Sequence, residues 1–82
     1  MKIEKYGASW CGPCKMLDKT LNLIPKDIKI VKFDAEENEE LFIEKNIKSI
    51  PVLIFYDDND NEVNRLVGAV SQEKIMDIIK NI

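Results

Sequence analysis

The two cysteines of this chain, Cys11 and Cys14, are separated only by Gly12 and Pro13, and this spacing constrains the fold most strongly. A structural disulfide stabilises a protein by closing a long loop in the unfolded chain, and the stabilisation grows with loop length. A bond between Cys11 and Cys14 would close almost no loop and would contribute little to folding. The chain must therefore obtain its stability from a hydrophobic core, which leaves the two sulfurs free for chemistry.

The composition is that of one small globular domain, 1–82. The chain has 82 residues, of which 45% are hydrophobic and 33% charged, and its net charge is −3. The lysines are scattered singly, so no basic patch for nucleic acid is expected. The N-terminus lacks the apolar stretch of a signal peptide, and the longest apolar run, 52–56, is too short for a membrane span. We therefore expect a cytoplasmic protein with no nucleic-acid or membrane partner.

Apolar periodicity and turn residues predict four strands and three helices. The run 51–56 is continuously apolar, as expected for a strand covered on both faces, and it should pair with 62–67 as an antiparallel hairpin. This order predicts an α/β fold with one sheet flanked by helices on both sides. The predicted strands are 2–7, 28–33, 51–56 and 62–67; the predicted helices run from Gly12 to Pro25, from Asn38 to near Asn46, and from Ser71 to Ile82.

The Cys11–Cys14 motif lies between a predicted strand and a predicted helix, a setting in which C-x-x-C is read as redox-active. Cys11 would lie at the helix N-terminus, where unpaired N–H groups and the helix dipole stabilise a thiolate. Cys14 lies about one turn further, on the apolar helix face, and should be shielded from solvent. We therefore expect Cys11 to attack a disulfide and Cys14 to resolve the mixed disulfide. Pro13 would stiffen the first turn without removing a needed hydrogen bond.

Metal binding is the competing chemical interpretation of the two cysteines. A structural zinc or iron–sulfur site usually needs four ligands, and the chain has two cysteines and no histidine. One chain thus offers half a site, which only a bridged dimer could complete. We expect no metal and no bound cofactor.

Four stretches of the sequence resemble the thioredoxin family: Trp10–Lys15, Lys32–Asp34, Ile47–Pro51 and Val67–Ala69. They occur in the family's order with nearly its spacing. The resemblance implies a minimal thioredoxin-like fold, βαβ(α)ββα, with a four-stranded mixed sheet. The chain lacks the leading strand and helix of typical thioredoxins, and its compact length is close to that of glutaredoxins.

The resemblance also assigns residues around the sulfurs. It implies a cis Ile50–Pro51 peptide bond whose bend exposes the backbone of Ile50 to an extended substrate segment. An ordinary trans proline opening a strand is the alternative. Trp10 would offer an apolar docking surface, or it would be a partly buried packing residue. Gly68 would permit close backbone approach to the site, or it would be a turn glycine.

One departure from the family pattern concerns the residue six positions before the first cysteine. The family usually buries an aspartate there, whereas this chain has Lys5 and also keeps the family's partner lysine as Lys32. Two buried ammonium groups side by side would be costly unless one stays solvated or loses its proton. Glu4 cannot substitute, because adjacent strand residues point to opposite faces. We therefore hypothesise that Lys5 lowers the pKa of Cys14.

The resemblance implies a monomeric protein-disulfide reductase that acts in electron transport and cell redox homeostasis. Its partners would be disulfide-containing proteins and, as electron donor, a flavoprotein of the thioredoxin reductase type. A glutaredoxin-like protein reduced by glutathione is the alternative within the fold, although glutaredoxins commonly carry Pro-Tyr where this chain has Gly12-Pro13. A subunit that uses the fold only for interaction is the alternative outside redox chemistry.

Overall fold

A computed structural model describes all residues, 1–82, as four strands and three helices in the predicted order. No helix combines the length and the apolar composition that a membrane span requires. The elements are β1 (Lys2–Gly7), α1 (Gly12–Leu21), β2 (Lys29–Asp34), α2 (Glu39–Glu44), β3 (Val52–Tyr56), β4 (Glu62–Val67) and α3 (Gln72–Lys80).

The four strands form one mixed sheet in the order β2-β1-β3-β4, which confirms the predicted thioredoxin-like topology. Strand β1 is parallel to β2 and antiparallel to β3, and β3 and β4 form the predicted antiparallel hairpin. Strand β1 is central, and its residues from Ile3 to Gly7 are all buried. The end of this strand therefore reaches the loop of the two cysteines from the middle of the sheet.

The sheet carries a hydrophobic core on each face. One face packs Ile3, Leu53 and Phe55 against α1 and α3. The other face packs side chains of β1 and β3 against Phe42 of α2. Every residue of β3 is buried, as the continuous apolar run predicted.

Two helix boundaries differ from the sequence prediction. Helix α1 ends at Leu21 rather than near Pro25, and the chain continues in a tight turn in which the Ile24 N–H donates to the Leu21 carbonyl. A residue before proline is disfavoured in the α conformation, which explains why the helix ends before Ile24. Ile24 is nevertheless buried. Ile82 was predicted on the apolar face of the last helix, but it follows the end of α3 and is exposed.

Asn38 occupies the predicted N-cap position of α2, but its side chain makes no capping hydrogen bond. Its Nδ2 instead donates to the backbone carbonyl of Asp34 at 3.0 Å. The side chain thus ties the start of α2 to the end of β2.

Glu4 is buried on the α2 face of β1, opposite to Lys5, as strand alternation predicted. Its Oε1 accepts hydrogen bonds from the hydroxyls of Tyr6 and Tyr56, both at 2.8 Å. Burial, and then the bond to Glu4, raises the pKa of each tyrosine, so both remain protonated donors. The buried carboxylate is stabilised by these two donors.

We predict that Tyr56→Phe lowers the free energy of unfolding by about 1.5–3 kcal/mol, the usual contribution of a hydrogen bond to a charged group. Denaturant unfolding monitored by circular dichroism measures the change. The matched control repeats the substitution in a Glu4→Gln background, where the acceptor is uncharged and the cost should be smaller. An equal cost in both backgrounds would show that the carboxylate charge is not what the hydroxyl stabilises.

Candidate active site

Cys11 lies at the N-cap of α1, directly before the first helical residue, Gly12. Its Sγ accepts a hydrogen bond from the backbone N–H of Cys14 at 3.2 Å. Pro13 lies in the first turn of the helix, where it removes no intrahelical hydrogen bond. The sulfur therefore occupies the helix N-terminus, as the sequence predicted.

Cys11 and Cys14 form a disulfide bond, with their Cα atoms 5.2 Å apart. The sequence predicted one exposed and one buried cysteine, but both are buried: Cys11 is 7% exposed and Cys14 is 1% exposed. The two cysteines differ little in exposure because Cys11 packs in one cluster with Ala8 and the partly buried Ala35 and Ile50. Cys11 is still the more accessible of the two.

Trp10 is 66% exposed, so the alternative of a partly buried packing aromatic is wrong. Its indole Nε1 donates to Glu36 Oε1 at 3.0 Å, which fixes the ring beside the disulfide loop. Gly12, two residues further, has open space around it: a Cβ there would meet nothing within 4 Å. The surface around the first turn of α1 is thus accessible.

The Ile50–Pro51 peptide bond is cis, as the resemblance implied. Ile50 is partly buried against the cysteine cluster, and its backbone N–H and C=O form no hydrogen bond within the chain. The Pro51 carbonyl accepts from the N–H of Gly68 at 2.8 Å. Gly68 has φ +97°, which only glycine adopts readily, but a Cβ there would meet nothing within 4 Å. Its conformation, and not crowding within the chain, therefore requires glycine.

Lys5 and Lys32 lie side by side on neighbouring strands, and a carboxylate lies between them. Asp18 Oδ1 is 3.2 Å from Lys5 Nζ and 3.0 Å from Lys32 Nζ. Lys5 is buried, whereas the Lys32 side chain is 49% exposed. Partial burial would raise the pKa of Asp18, but its contacts with Lys32 and Lys5 outweigh this and hold that pKa below its usual value. The cost of two adjacent ammonium groups is thus relieved by solvation of Lys32 and by the carboxylate.

The buried ammonium of Lys5 also lies close to the sulfur of Cys14. A Cβ built on Gly7 would lie 2.9 Å from Lys5 Nζ and 3.0 Å from Cys14 Sγ, so these two atoms are at most about 6 Å apart. The missing side chain of Gly7 provides the space that both occupy. Lys5, Gly7 and Cys14 therefore meet beneath the disulfide.

Asp18 is the site residue that the sequence analysis missed. It lies four residues after Cys14, so both project from the same side of α1, and it is the only acidic residue of that helix. The conflict between Lys5 and Lys32 was the available signal, since two facing ammonium groups call for an anion nearby.

Comparisons with known proteins agree with this geometry. The family model described as Thioredoxin matches residues 2–81. A thioredoxin of Griffithsia pacifica is 34% identical over 83 residues, covering 95% of this chain and 74% of its own. The structure of thioredoxin 1 from Thermosipho africanus superposes with a TM-score of 0.87 at 28% identity, covering 99% of this chain and 92% of its own. Oxidised mitochondrial thioredoxin 3 from Saccharomyces cerevisiae gives 0.85 at 27% identity, with coverages of 99% and 77%.

The match extends over nearly the whole chain and includes the pair of sulfurs that the structure joins. Thiol–disulfide exchange is the chemistry that such a pair at a helix N-terminus supports. The chain therefore belongs to the thioredoxin family and is a thiol–disulfide oxidoreductase.

Proposed function

We propose that this protein reduces disulfide bonds in other proteins, with Cys11 as the nucleophile and Cys14 as the resolving cysteine. The position of Cys11 Sγ at the N-terminus of α1, accepting the Cys14 N–H, carries the proposal. A helix N-terminus lowers the pKa of a thiol and so increases the reactive thiolate fraction at neutral pH. Cys14, which is almost fully buried, is reached more readily by Cys11 than by a substrate.

Two exchange steps reduce one substrate disulfide. The Cys11 thiolate attacks one substrate sulfur, forms a mixed disulfide and releases the other substrate sulfur as a thiolate. The Cys14 thiolate then attacks Cys11 Sγ, which breaks the mixed disulfide and releases the second substrate sulfur. Both released thiolates take protons from water, and the protein is left with the Cys11–Cys14 disulfide.

The residues around Cys11 would bind an extended substrate segment. The unpaired backbone N–H and C=O of Ile50 can hydrogen-bond to such a segment, as an added strand does. Trp10, which precedes Cys11 in the chain, provides an exposed apolar surface. Pro51 and Gly68, joined by a backbone hydrogen bond, would hold Ile50 in position.

The electron donor in this proposal is a flavoprotein of the thioredoxin reductase type, with glutathione as the alternative. Family membership and the Gly12-Pro13 dipeptide favour the flavoprotein. We further propose that the protein acts in the cytoplasm. This compartment is reducing, so the Cys11–Cys14 disulfide formed in each cycle can be returned to two thiols. In the same proposal the protein acts as a monomer, and residues 1–82 form one domain.

We predict that Cys11→Ser abolishes disulfide reduction, because the remaining thiol is buried. Cys14→Ser should instead accumulate a covalent adduct between Cys11 and the substrate. Mass spectrometry of the protein after incubation with a disulfide-bonded test protein such as insulin distinguishes the two outcomes. Met16→Ser, at an exposed position of α1, is the control and should retain activity. An adduct formed through Cys14 would reverse the assigned roles, and failure of the unaltered protein to reduce the test protein would favour an interaction subunit.

We predict that NADPH with thioredoxin reductase reduces the oxidised protein faster than glutathione does. The measurement offers each donor separately to the oxidised protein and follows the appearance of free thiols with time. Faster reduction by glutathione would instead assign the protein to the glutaredoxin-like alternative. If neither donor reduced it, the proposed electron source would be wrong.

A further inference from the structure

We propose that Asp18 is a positioning residue for the resolving step: its carboxylate holds the ammonium group of Lys5 beside Cys14 Sγ, where it stabilises the attacking thiolate. This inference rests on the proposed function and assigns a role to a residue outside the sequence motifs. Its basis is the contiguous arrangement of Asp18, Lys5 and Cys14 on the α1 side of the sheet.

The ammonium group of Lys5 is buried. A buried ammonium group is costly unless an anion or hydrogen-bond acceptor compensates it. Asp18 Oδ1, at 3.2 Å, is the only carboxylate oxygen within ion-pair distance of Lys5 Nζ. Without this carboxylate, Lys5 would have to turn towards solvent or lose its proton. Asp18 is therefore what keeps a positive charge at this buried position.

The charge of Lys5 also lies close to the resolving sulfur. Lys5 Nζ and Cys14 Sγ both lie within about 3 Å of the point that a Cβ of Gly7 would occupy. A positive charge within about 4–6 Å lowers the pKa of an acidic group by roughly one to three pH units. Lys5 is thus close enough to favour the thiolate form of Cys14.

The surrounding charges do not cancel this effect. The two ammonium groups of Lys5 and Lys32 and the one carboxylate of Asp18 leave one net positive charge. Lys32 is half exposed, so water and salt screen its charge more than that of Lys5. A cavity of about 370 Å³ beside Lys5 and Asp18 is also lined by the charged residues Lys15, Asp34 and Glu37. Lys15 and Glu37 are exposed, and the partly buried Asp34 carboxylate accepts hydrogen bonds from the backbone N–H groups of Ser9 and Glu36.

Asp18 and Lys5 act on the step in which Cys14 resolves the mixed disulfide. The Cys14 thiol gives up its proton to solvent, and the ammonium group of Lys5 stabilises the resulting thiolate. The thiolate forms a new S–S bond with Cys11 as the bond between Cys11 and the substrate sulfur breaks. The electron pair of that bond leaves with the substrate sulfur, which takes a proton from water.

The test measures the pKa of Cys14 in a Cys11→Ala background, where it is the only thiol. The ultraviolet absorbance of the thiolate is followed against pH. Asp18→Asn, which keeps size and shape, should raise the pKa of Cys14 by about one pH unit, because the ammonium charge beside the sulfur is lost. Asp77→Asn, which removes an exposed carboxylate from α3, is the matched control and should leave that pKa unchanged.

A second pair of variants shows whether Asp18 acts through Lys5. Lys5→Gln should also raise the pKa of Cys14, and adding Asp18→Asn to it should raise that pKa no further. Gly7→Ala changes no charge but displaces Lys5 Nζ from the sulfur, so it should act in the same direction. If Lys5→Gln fails to fold, Lys5→Met supplies the same comparison with an apolar side chain.

The rate of resolution supplies an independent readout in the protein with both cysteines. With stoichiometric Ellman's reagent, the first thiolate released reports attack by Cys11 and the second reports resolution by Cys14. Asp18→Asn should slow the second release about threefold, since a tenfold loss of thiolate is partly offset by the higher nucleophilicity of a more basic sulfur. The first release should change little.

Three results would overturn the inference: a Cys14 pKa that is unchanged in Asp18→Asn, one that is lowered, or one raised equally with and without Lys5. A lowered pKa would mean that Asp18 acts only through its own negative charge. These results are distinct from failure of the proposed function. If the proposed function failed, the unaltered protein itself would not reduce disulfide-bonded test proteins.

Discussion

The packing of α1 against the central strand β1 fixes the position of both sulfurs. Leu17 and Leu21 of the helix are buried in the same cluster as Ile3 of the strand, and this packing holds the helix against the sheet. The N-terminus of α1 therefore lies next to the end of β1, with Cys11 at the N-cap. A site built on two packed elements is held more firmly than one built on a loop. The reactivity of Cys11 thus depends on a hydrophobic contact remote from the sulfur.

The alternation of β1 separates two buried charges onto opposite faces. Lys5 lies on the α1 face with Asp18, and Glu4 lies on the α2 face with the hydroxyls of Tyr6 and Tyr56. A shift of one residue in strand register would exchange them and place a carboxylate beside Cys14. The pairing of Lys5 with Lys32 and Leu53 therefore determines the electrostatics of the site as well as the fold.

The sequence predicted the parts of the structure that local pattern controls. The hairpin strand 62–67 and the N-cap of α3 at Ser71 follow from alternation, turn residues and a capping hydroxyl, and both were correct. The end of α1 was misplaced because a proline acts on the residues before it as well as on its own position. The near-complete burial of Cys11 and the role of Asp18 depend on side chains meeting across separate elements. Sequence spacing alone does not fix such contacts.

The limited exposure of Cys11 bears on how substrates are chosen. Cys11 is only 7% exposed in the disulfide-bonded form, so under the proposed function a substrate segment would have to be oriented before its sulfur could reach Cys11. The free backbone groups of Ile50 would orient an extended segment without reading its side chains. Recognition through backbone tolerates many sequences, and an exposed indole adds apolar contact of the same low selectivity. Discrimination among substrates would then come from charged side chains near Cys11, such as Glu36, whose carboxylate accepts the hydrogen bond of the Trp10 indole.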